Sequence, residues 1–64
     1  MNEPIVYTEI YSNNVVCMKL FRDEDKLSKF LYLEFEYDEA KKLLENKTIS
    51  FDDNWTFSIN YPEY

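Results

Sequence analysis

Covalent and metal chemistry near neutral pH rests on a few side chains, and this 64-residue sequence is short of them: it has no His, no Gly and a single Cys. Cys17 therefore has no internal disulfide partner and reads as a small apolar residue. Without His or a second Cys, the usual zinc ligand sets cannot be assembled. Ser12, Ser28, Ser50 and Ser58 lack a His to activate them, and no Gly-rich loop is present to cradle a phosphate. Carboxylates remain. On an extended strand Glu34 and Glu36 fall on one face about 7 Å apart, a separation that two glycosidase carboxyls can have. A chain this short can scarcely enclose a cleft around both, so the pair reads as solvated or interfacial charge. Asp23-Glu24-Asp25-Lys26 reads as a charged turn, because a calcium loop needs a Gly and a longer run of spaced oxygens. The expectation is a protein that is not an enzyme and has no cofactor and no metal site.

Thirteen acidic against seven basic residues give a formal charge of -6. A field of that sign repels nucleic acid and anionic lipid, and it attracts a protein with a basic surface. Direct nucleic-acid binding is therefore not expected. The apolar fraction of 45% and aromatic fraction of 19% are too high for a disordered acidic tail, so the chain should fold. A domain of this length buries only about 60% of its unfolded surface, which leaves a thin core that would gain from self-association. A homodimer is expected. No apolar run approaches the roughly 20 residues of a membrane span, and the start of the sequence lacks the pattern of a signal peptide, so the expected setting is the cytoplasm of the producing or host cell.

Residues 5–12 read as a first strand, with Val6, Thr8 and Ile10 on one side and Ile5, Tyr7, Glu9 and Tyr11 on the other. Asn13-Asn14 reads as a two-residue turn, since Asn tolerates positive φ. Residues 15–22 form the second strand, and Val16, Met18 and Leu20 make its better core face. Residues 30–37 read as a third strand. Leu31, Leu33, Phe35 and Tyr37 lie on its apolar side, and Phe30, Tyr32, Glu34 and Glu36 on an outward, acidic-aromatic side. Asp38 then caps a helix over residues 39–45, with Ala40, Leu43 and Leu44 on one face and Asn46 as the stop. Residues 48–51 and 55–61 pair through an Asp52-Asp53-Asn54 turn, and Pro62 ends the ladder before a Glu63-Tyr64 tail. These elements predict one α+β domain over residues 1–64: a small antiparallel sheet in the order β-β-β-α-β-β, with one short helix packed on one face.

Rings beside carboxylates on an outward sheet face mark a contact surface. The candidate protein-binding residues are Tyr7, Glu9, Tyr11, Phe30, Tyr32, Glu34 and Glu36, and the outer face of the first three strands is the expected dimer seam. Aromatic platforms that stack nucleic-acid bases surround their rings with Lys and Arg, whereas here Lys19 alone joins three glutamates. The expected function is stoichiometric protein binding. By analogy of size and charge, such a chain can imitate a nucleic-acid backbone and block a basic cleft. Phage or mobile-element inhibitors of host nucleases, restriction enzymes and CRISPR effectors act in this way. The alternative is a structural or accessory subunit of a larger complex.

Overall fold

All ten Val, Ile and Thr residues fall within residues 5–16 and 48–59. Branching at Cβ costs side-chain freedom in a helix and packs well on a pleated surface, so these two stretches favour strands and the segment between them does not. A computed structural model, which describes residues 3–62, follows that division. Its elements are β1 (Ile5–Tyr11), β2 (Asn14–Phe21), α1 (Glu24–Glu34), α2 (Tyr37–Asn46), β3 (Thr48–Phe51) and β4 (Trp55–Asn60). The Glu63-Tyr64 tail lies outside the described residues.

The chain is thus an α+β fold with a four-stranded antiparallel sheet, in spatial order β2-β1-β4-β3, and two helices. The third strand expected over residues 30–37 does not exist. That segment is the end of α1, a two-residue corner at Phe35-Glu36 and the start of α2. Asp23 supplies the missing start signal: its carboxylate accepts the Lys26 N–H at 2.9 Å, while Glu24 and Asp25 sit in the positively polarised first turn. Leu27 and Leu31, four residues apart, then fall on one helical face and are both fully buried. Leu33, assigned to the apolar side of a strand, points away from this face and is 85% exposed.

The second helix is longer than expected. It begins at Tyr37, with Glu36 rather than Asp38 at the N-cap, and the Glu36 N–H donates to Glu39 Oε1 at 3.4 Å. Ala40 and Leu43 are buried and Leu44 is half-buried, as the spacing requires. The helix stops after Asn46 because Lys47 turns left-handed at φ 68°. Its N–H closes on the Leu43 carbonyl at 2.8 Å, and its Nζ donates to the Leu44 carbonyl at the same distance.

Both hairpin loops use positive φ without glycine. Ser12 and Asn13 adopt φ 49° and 69°, so the β1–β2 turn lies one residue earlier than expected, and Asp52 adopts φ 45° in the β3–β4 turn. The Ser12 N–H donates to the Asn54 carbonyl at 2.9 Å, tying the two turns together at one end of the sheet.

The register decides which face meets the helices. Tyr7 opposes Lys19 and Ile59, and Glu9 opposes Cys17 and Phe57, so Ile5, Tyr7, Cys17, Phe21, Phe57 and Ile59 turn toward α1 and α2. Val16, Met18 and Leu20, expected in the core, turn outward and are 53%, 57% and 63% exposed. Burying a ring removes 150–250 Å² from water, so the face holding Tyr7, Phe21, Phe51, Trp55 and Phe57 has more to gain than the aliphatic one. The buried core is small: Ile5, Tyr7, Leu27, Leu31, Ala40, Leu43 and Ile59. With a smallest dimension of 17 Å, the molecule has room for one sheet and one layer of helices.

Candidate functional site

At the end of the sheet where Tyr11 and Trp55 lie, the side chains facing the helices run past the α1–α2 corner and leave a cleft of about 370 Å³. Its lining is Glu9 from β1, Glu34 and Phe35 from the corner, Glu39 from α2, Phe51 from β3, and Trp55 and Phe57 from β4. This volume lies at the small end of the range for ligand sites.

The aromatic wall is built from one side to the other. Phe35, the residue that ends α1, packs edge-on against Phe57 at 5.1 Å between centroids, and Phe51 meets the same ring edge-on at 5.5 Å. Trp55 lies parallel to Phe57 at 5.7 Å, and Tyr11 leans on Trp55 at 4.8 Å. Edge-to-face pairs contribute about 0.5–1.5 kcal/mol each beyond their area, so the wall is a fixed structure. All four lining rings are only half-buried, which leaves part of their surface turned to the cleft.

The acidic wall is held from beneath. The hydroxyl of fully buried Tyr7 donates to Glu9 Oε2 at 2.7 Å, fixing one carboxylate at the cleft. Burial, this hydrogen bond and the nearby charges of Glu9 and Glu34 push the Tyr7 hydroxyl well above the ordinary tyrosine range. Tyr7 therefore stays a donor at any physiological pH. Tyr7 itself is held edge-on by Phe30 at 5.0 Å and by Phe35 at 6.5 Å. Among the described residues no group of three or more His, Cys, Asp or Glu is placed to hold a metal ion, so Glu9, Glu34 and Glu39 are spread around the cleft rather than focused on one point. Nor is any helix long and apolar enough to cross a membrane.

The seven candidate contact residues divide under this geometry. Glu9 and Glu34 line the cleft, and Tyr11 extends its aromatic wall. Tyr7 is a core residue with no exposed surface, and Phe30 is a half-buried ring packed between Tyr7 and Phe21. Tyr32 is exposed and stacks on Tyr37 at 5.5 Å across the helical corner, and it does not line the cleft. Glu36 begins α2. It shares no strand face with Glu34, because the backbone between them bends from one helix into the next. Phe35, Glu39, Phe51, Trp55 and Phe57 were not singled out. Trp55, Phe57 and Ile59 alternate with polar residues along the sequence, but only the pairing of β4 with β1 brings the two rings beside Glu9. No protein-family model, no curated protein and no solved structure matches this chain.

Proposed function

We propose that this chain is a small protein-binding module that acts stoichiometrically, and that its cleft seats a cationic side chain from a basic surface of its partner. The observation that carries the reading is the convergence of three carboxylates and four aromatic rings on one cleft. A cation over a ring face gains roughly 0.5–2 kcal/mol, depending on how far it is desolvated, and a carboxylate beside it adds a charge-assisted hydrogen bond. Arg suits the site better than Lys, because a planar guanidinium can stack on Trp55 while its N–H groups reach separate carboxylates.

The net charge of -6 steers the approach, and the cleft supplies the anchor. Basic clefts that hold nucleic acid present such arginines in rows. Occupying one of them with an acidic protein would block it, which is the inhibitor reading of the composition. The accessory-subunit reading has no comparable feature in its favour.

Trp55 is the sole tryptophan and lines the cleft, so its fluorescence reports occupancy directly. Titration with an unstructured Arg-rich peptide should shift or quench this emission, with weaker binding as salt rises and none for an acidic peptide of equal length. Glu34→Gln should weaken the interaction severalfold, and Glu36→Gln, outside the cleft, should leave it unchanged. A Trp55 signal indifferent to the peptide, or equal responses in the two variants, would reject the cleft as the anchor.

A further inference from the structure

The sheet face opposite the helices is the largest feature that the cleft does not use. On its β1–β2 half lie Val6, Ile10, Val15, Val16, Met18 and Leu20, and four of these are more than half exposed. A bulge where the β1–β2 register shifts between Glu9 and Ile10 turns both Val15 and Val16 outward. The β4–β3 half carries only hydroxyl and amide side chains, among them Ser50, Thr56, Ser58 and Asn60. Among the described residues the register places no Asp, Glu, Lys or Arg on this face, in a chain that is 31% charged.

We infer that this face is the seam of a homodimer, in which two copies pack sheet against sheet around a two-fold axis. Charge selects the occupant. A basic partner would be met by carboxylates, and this face has none; two copies each carrying -6 can approach closely only where charge is absent. Four strands at about 4.8 Å spacing and a seven-residue central strand at about 3.4 Å per residue span roughly 19 by 24 Å. Two such faces together remove on the order of 1,000 Å² from water, the lower bound for a specific interface. In a two-fold arrangement the aliphatic half of each copy lies on its counterpart or on the hydroxyl half of the other, and both contacts are free of unpaired charge. Edge pairing through β2 is the weaker route, because the bulge distorts that edge and Lys19 lies on the strand.

The test is sedimentation equilibrium of the full chain from 1 to 500 µM at low and high salt. A mass of twice 7.8 kDa should appear, and dimerisation should strengthen as salt screens the mutual repulsion, the opposite of the salt effect expected for the cleft. Leu20→Glu and Met18→Gln, both at exposed positions, should keep the monomer's circular dichroism and weaken dimerisation at least tenfold for Glu and less for Gln. Leu33→Glu, on the helical side, should leave dimerisation unchanged. A monomer at every concentration and salt, or a dimer indifferent to Leu20→Glu, overturns the inference; a monomer that binds the Arg-rich peptide overturns it while leaving the cleft intact.

Discussion

The two faces of one sheet have opposite characters. The face toward the helices carries the rings and, at its open end, the carboxylates; the other carries aliphatic, hydroxyl and amide side chains and, among the described residues, no charge. A single helical layer can cover only one of them, and it covers the one whose rings remove more area from water. What is left over is uncharged, aliphatic on its β1–β2 half and hydroxyl-bearing on the other. A chain this small cannot bury all its apolar surface alone, and the comparison shows where the surplus lies.

The largest effect that can break this contrast is a cavity beneath the helices. Leu31→Ala or Leu43→Ala should destabilise by about 2–5 kcal/mol in denaturant titration, since each side chain is fully buried and the core has few members. Met18→Ala, measured at a concentration low enough to hold the monomer, should stay within about 0.5 kcal/mol. Similar losses in the two would mean that the open face is covered within the monomer.

The helix start is the next point to press. Asp23→Ala removes the side chain that accepts the Lys26 N–H and should cost about 1 kcal/mol, with a loss of helical circular dichroism at 222 nm. No loss would indicate that tertiary packing alone sets the start of α1.

Alkali separates two tyrosines on the covered side. The hydroxyls of Tyr7 and Tyr61 are both raised above 10.0, Tyr61 to about 12, first by burial and then by their bonds to Glu9 and Glu24. In each case the folded state holds its proton to higher pH than the unfolded state. The stabilisation is therefore complete below pH 10 and declines as pH rises, between about 10 and 12 for Tyr61 and to still higher pH for Tyr7. Tyr61→Phe should flatten the fall in stability between pH 10 and 12 and leave the part at higher pH in place, as followed by thermal melts. An unchanged pH profile would release Tyr61 from Glu24.

The smallest expected effect concerns the helical corner. Leu33→Ala should shift stability by no more than about 0.5 kcal/mol, because the side chain is 85% exposed. A strand with Leu33 inward would lose several times that.

Much of this was legible in the letters. The α+β class, the β1–β2 pair, the inward face and stop of α2, and the final hairpin through Asp52-Asp53-Asn54 follow from β-branched content, turn residues and helical spacing. Residues 30–37 were not, because alternating Leu, Glu and ring residues satisfy a two-residue period over a short window. The competing signal, Leu27 four residues before Leu31 and Asp23 as cap, lies just outside that window. The absence of Val, Ile and Thr from residues 23–47 would have decided the matter. Face choice in β2 failed for a different reason. Val16, Met18 and Leu20 are the better apolar set on their own strand, but a sheet buries whole faces, and the summed ring area of four strands outweighs one aliphatic strand.

By itself, the sequence determined the charge, the absence of His and Gly, the single Cys and the high aromatic content. Which acids meet which rings was decided by tertiary structure. Glu9, Glu34 and Glu39 come from three elements, and only the placing of β4 beside β1 and the α1–α2 corner above them brings the three around Trp55 and Phe57. Such convergence depends on contacts between residues far apart in the chain, and local propensity carries no information about those.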